Sequence, residues 1–91
     1  MTDNESPRYF GQSLTWLKSE HGRAEVDRLL AEHDLPCGHG IKNVLYNGFS
    51  GGSFVDAICR MDFHNAYHRA DLSNQAHFMN YIKFAHELSR I

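Results

Sequence analysis

Apolar residues recur along this chain at helical rather than strand spacing, and capping residues divide the pattern into segments. Placed at 100° per residue, Phe10, Leu14, Leu17 and His21 share one stripe. Ser6-Pro7 ahead of it supplies a hydroxyl for free amides and a proline where a missing N–H is harmless. The first helix is therefore expected over residues 7–20, with Gly22 as its stop. Val26, Leu29, Leu30 and His33 then cluster on one face of a second helix in GRAEVDRLLAEHD, opposite Glu25, Arg28 and Glu32, until Leu35-Pro36 ends it. Both stripes close on a histidine, and a positive charge in a last turn suits the helix dipole. His21 and His33 are accordingly read as structural.

The middle of the chain, PCGHGIKNVLYNGFSGGS, holds five of the seven glycines. Asn47-Gly48 would suit a hairpin if a second strand followed, and none does, so IKNVLY is expected to form a short helical turn. Ser53 then caps a longer helix with Phe54, Ile58 and Met61 as its core line and an Asp56/Arg60 pair outside. Asp71 or Ser73 starts a last helix that reaches the C-terminus. The expected fold is all-α: a small single-domain bundle of four main helices around a Gly-rich central loop or short helical turn. It spans residues 6–91, with residues 1–5 as a flexible N-terminus.

The last helix has more apolar surface than one contact requires. Asn80, Lys83, Glu87 and Arg90 fill a narrow polar stripe, while Phe78, Met79, Tyr81, Ile82, Phe84, Ala85, Leu88 and Ile91 cover most of the rest. Either it is the central helix of the bundle or it offers a second apolar face to a partner. The first helix poses the same choice, because Tyr9 and Trp16 lie i, i+7 on a stripe about 100° from its core line. If exposed, they are aromatic anchors of the kind that dominate interfaces.

Composition narrows the function. In 91 residues, Leu, Ile, Val and Phe total 21, enough for one modest core to which aromatics must contribute. Nine basic and eleven acidic residues intermingle to a formal charge of −2, which leaves no basic stripe for nucleic acid. Seven histidines could reverse that sign on acidification. MTDNESPRYF lacks the basic and apolar regions of a signal peptide, and no apolar run is long enough to span a membrane, so a soluble, cytoplasmic chain is expected. Cys37 and Cys59 are then expected as free thiols.

The chemical candidates centre on DFHNAYHRAD. There His64 and His68, spaced i, i+4, project from one side of a helix and could share a tetrahedral ion. Cys37 and His39 in the Gly-rich CGHG could complete a site of one thiolate and three imidazoles for zinc or another transition metal, with Cys59 or Asp71 as substitute ligands. The competing reading makes these histidines border residues of the core. GFSGGS could form an anion nest, but it lacks the P-loop lysine. No nucleophile elbow or paired-carboxylate helix motif is present, and a helix-turn-helix reading would put one lysine and no arginine on its recognition helix.

The function expected from these residues is a small non-enzymatic protein-binding module, an adaptor, regulator or inhibitor. It would act through Tyr9, Trp16, Phe84, Leu88 and Ile91 on another protein or on a second copy of itself, with no nucleic acid, membrane or cofactor. The alternative is a metal-binding protein with Cys37, His39, His64 and His68 as ligands.

Overall fold

The structure, a computed structural model, describes residues 8–91. The flexible terminus expected over residues 1–5 and the Ser6-Pro7 helix start lie outside the described residues. The all-helical class holds, but the expected helices are divided more finely. A two-stranded hairpin, β1 (Arg8–Tyr9) and β2 (Gln12–Ser13), is followed by α1 (Leu14–Lys18), α2 (Glu20–Glu32), α3 (Gly38–Asn47), α4 (Ser53–Cys59), α5 (Phe63–Arg69), α6 (Leu72–Ala76) and α7 (Phe78–Ser89).

The first expected helix is replaced by the hairpin and α1. Arg8 pairs with Ser13 and Tyr9 with Gln12, and both turn residues take positive φ, Phe10 at 55° and Gly11 at 74°. Gly11 meets that demand freely, whereas Phe10 does so at a steric cost. Burial offsets it: Phe10 is fully enclosed, its ring edge-on to Phe84 at 5.2 Å, and its amide donates to the Cys59 carbonyl at 2.8 Å. The Gln12 amide ties the hairpin to the end of α7 by donating to the carbonyls of Leu88 and Ile91.

Ser13 caps α1 by accepting from the Trp16 amide. Ser19 then ends α1 and starts α2, its hydroxyl donating to the Trp16 carbonyl and accepting from the Gly22 amide at 3.1 Å. Gly22, expected as a stop, lies inside α2 instead. A Cβ there would fall 2.1 Å from the Trp16 carbonyl oxygen, so the tight return from α1 to α2 needs glycine for space.

IKNVLY belongs to a full helix, α3, closed by Gly48 in the left-handed region at φ 71°. Ser53 is the first residue of α4 rather than its cap; Gly52 occupies that position at φ 95°. Asp56 organises the approach by accepting from the Ser50 hydroxyl at 2.8 Å and the Gly51 amide at 3.2 Å. The helix expected to continue through DFHNAYHRAD stops at Cys59. Met61 takes φ 61°, the Asp62 amide donates back to Ala57 and the Met61 amide to Ile58, the paired bonds of a Schellman end. Asp62 then caps α5 at Asn65, and Asp71 caps α6 by accepting from the Asn74 amide at 2.8 Å.

These elements share one apolar cluster. Leu17, Val26, Leu29, Ile41, Leu45 and Ile58 are fully buried in it, and α7 contributes Tyr81, Phe84, Ala85 and Leu88 at i, i+3, i+4 and i+7. Helix α7 packs against α2, α4 and α6, which uses its broad apolar face inside the fold. No helix of the described residues is long and apolar enough to cross a membrane.

Candidate functional site

The residues expected to make contacts are distributed between core and surface. Phe84 and Leu88 are fully buried and correct the expectation that they face a partner, because α7 spends that stripe on Phe10 and the rest of the core. Tyr9 and Trp16 are half-buried flanks of the same cluster. The Trp16 ring lies 5.9 Å from the His21 ring, centroid to centroid. Ile91, at 47 % exposure, is the one of the five that is exposed among the described residues.

The expected metal ligands do not converge. His64 and His68 do form the i, i+4 pair, with ring centroids 4.8 Å apart and both side chains exposed on α5. His39 is exposed on α3, and Cys37 is committed to a polar network at that helix's start. Among the described residues, no group of three metal-capable side chains includes any of these four. Cys37 and His39 lie at the start of α3, and His64 and His68 on α5, which follows the chain reversal at Met61. Cys59 and Cys37 are both free thiols. Burial first, and Asp56 second, pushes the Cys59 thiol up to about 12, which leaves it unreactive as a nucleophile or ligand.

The network around Cys37 locks the α2–α3 connection onto α6 and α7. The Tyr81 hydroxyl donates to Asn74 Oδ1 at 2.7 Å and accepts from the Cys37 amide at 2.8 Å, while Asn74 Nδ2 donates to Cys37 Sγ at 3.4 Å. Asn74 is the buried polar residue among the described positions, and burial raises the Tyr81 pKa well above its ordinary value. Every partner in this group is satisfied, which suits a structural role. Nearby, the imidazole of His77 contacts the Ser73 carbonyl at 2.9 Å through Nδ1 and the Asp34 carboxylate at 3.2 Å through Nε2.

Two places among the described residues bring several side chains together for binding. The first is a groove of about 320 Å³ between the hairpin and α1 on one side and the α3–α4 connection on the other. Tyr9, Leu14 and Val44 supply apolar lining, and Phe49 stands at its edge with 66 % of its surface in solvent. Lys18 and Arg60 also line it, and neither takes part in an ion pair among the described residues. The carboxylate in the lining, Asp56, is already occupied by Ser50 and Gly51. The groove is thus an apolar slot with an aromatic lip and two available cations. Tyr9 was legible as a contact residue, whereas Phe49 was hidden in GFSGGS, where glycines suggested only a turn.

The second is the junction of α2 and α7. His33 Nε2 lies 3.2 Å from Glu87 Oε2, and ligand atoms of Glu32, His33 and Glu87 all fall within 4.8 Å of one another. His33 Nε2 is nevertheless buried without a hydrogen bond, although the Glu87 carboxylate stands within ion-pair distance.

Comparison with protein-family models, with curated proteins and with solved structures finds no match for this chain.

Proposed function

We propose that this chain is a small non-enzymatic protein-binding module, an adaptor, regulator or inhibitor, whose contact surface is the groove beside Phe49. The observation that carries the reading is the exposed Phe49 ring at the edge of an apolar slot lined by Tyr9, with Lys18 and Arg60 beside it. A large aromatic held in solvent next to a concavity is the arrangement that interface anchors use. Two cations without described acidic partners favour a partner segment that carries carboxylates around an apolar anchor residue. Phe49 and Tyr9 therefore replace Phe84 and Leu88 as the aromatic and apolar anchors.

The hydroxyl–carboxylate contact in the groove lining, Ser50 with Asp56, also holds the Gly51 amide and so organises the approach to α4, and Cys59 is sealed in the core, which supports binding over catalysis. The other exposed apolar side chains, Leu72 and Met79 among them, do not line the groove, and single exposed apolar residues are ordinary on protein surfaces.

The test is selection from a displayed library of random short peptides, followed by affinity measurements on the synthesised winners. The reading expects acidic peptides with an aromatic or aliphatic anchor. Phe49→Ser should weaken their binding by at least about tenfold, the loss of roughly 1.4 kcal/mol that an interface anchor exceeds. Its melting temperature should be unchanged. Enriched peptides that bind Phe49→Ser as well as the parent chain would contradict the reading.

A further inference from the structure

We propose that Glu32, His33 and Glu87 form a binding site for a divalent transition-metal ion that clips the end of α2 to α7. Glu32 and His33 are neighbours in the chain, and Glu87 joins them from a distant helix. Glu32 ends α2, His33 is its C-cap, and Glu87 lies in the last turns of α7. Their ligand atoms lie within 4.8 Å of one another. Tetrahedral ligands about 2.0–2.2 Å from one ion stand roughly 3.3–3.5 Å apart, so modest rotations close the gap. Glu32 and Glu87, 49 % and 47 % exposed, are free to make them.

An independent observation marks the ligand's position. The His33 side chain is only 13 % exposed, and its Nε2 atom is buried without a hydrogen bond although a carboxylate oxygen stands 3.2 Å away. Buried polar nitrogens without partners are uncommon because each costs the desolvation of that group. A cation seated between the imidazole and the two carboxylates satisfies the nitrogen and balances the two negative charges.

The surroundings favour a cation of this class. Helix α2 has 13 residues, and its negative dipole end falls on the site. Arg28 is the opposing charge, and it is already shared between Glu25 and one oxygen of Glu32, which leaves the other Glu32 oxygen available. One imidazole with carboxylates suits zinc, manganese or iron(II), whereas calcium and magnesium take oxygen ligands alone. Three protein ligands leave the remaining positions to water. The rival occupant is a proton, which would make His33 and Glu87 a simple ion pair.

The test uses the full chain, treated with a chelator and then titrated with zinc while histidine ring resonances and melting temperature are followed. The site predicts that His33 signals move first and saturate at one zinc per chain, and that the melting temperature rises. Glu87→Gln should weaken zinc binding at least about tenfold and remove the thermal shift, because it removes a ligand from a folded protein. A double variant, His64→Gln with His68→Gln, should bind as the parent does. The proposal is overturned if the exposed His64/His68 pair responds first, if Glu87→Gln retains parental affinity, or if zinc leaves the melting temperature unmoved.

Discussion

At position 22 a hydrogen atom in place of a side chain lets two helices meet. The Trp16 carbonyl would lie 2.1 Å from a Cβ on Gly22, and that clash is with backbone held by Ser19 at both helix ends. Alanine normally improves a helix interior by about 0.5–1 kcal/mol over glycine. Here Gly22→Ala should instead destabilise by about 1–3 kcal/mol, the range of overpacked sites. Urea denaturation checks it by the sign of the midpoint shift, and a stabilised variant would refute the packing. The sequence marked Gly22 as special but for the wrong reason: glycine after an apolar stripe reads as a stop, and a close approach between helices leaves no local signal. The two thiols differ at the same scale. Cys59 is fully buried and its thiol is pushed up to about 12, while Cys37 is half-buried. Iodoacetamide followed by peptide mapping should find Cys37 alkylated in the native protein and Cys59 protected until unfolding.

Among the elements, apolar period was legible wherever one side of a helix faces the core. Val26 and Leu29, Phe54 and Ile58, and the Tyr81–Leu88 stripe all sit as the spacing requires. What period could not show was where the backbone breaks. Met61 and Phe10 enter the left-handed region without being glycine, because the tertiary structure around them compensates the local strain. Asp62, which caps α5, also looks like an ordinary surface charge in a longer helix, whereas Asp71, which caps α6, was legible as a helix start. The hairpin depends on Phe10 as its plug, so Phe10→Ala should cost about 3–5 kcal/mol, as for other buried phenylalanines. Phe49→Ser should leave the unfolding midpoint within error, and equal losses at both positions would contradict this division into core and surface. The contact of α6 and α7 with the α2–α3 connection adds a pH dependence. The Ser73 carbonyl, the largest influence, raises the His77 pKa; desolvation opposes it, and Asp34 adds to the rise. A raised folded-state pKa stabilises fully below the unfolded value near 6.5, and that contribution is lost as pH rises through the folded value. Replacing His77 by glutamine should therefore lower the melting temperature more at about pH 5.5 than at about pH 8.5.

Across the whole molecule, the surface surplus suggested by the sequence divides into a core helix and a groove. Helix α7 is broadly apolar because it packs against α2, α4 and α6, which accounts for Phe84 and Leu88 without any partner. The groove draws on segments that were unremarkable in isolation: a hairpin strand, the end of α1, and the glycine-rich connection that positions Phe49. Its two cations, Lys18 and Arg60, lie 42 positions apart in the chain and meet only through the fold. Neither Phe49 nor that charge pairing was legible from spacing, since both depend on how the α3–α4 connection lies against the hairpin. The most direct measurement is a nitrogen-15 NMR titration of the protein with a peptide selected for binding. If the groove is the contact surface, amide shifts gather at Tyr9, Lys18, Val44, Gly48, Phe49 and Arg60 and vanish in Phe49→Ser. Shifts centred instead on Leu72 and Met79, or unchanged by that substitution, would contradict the account.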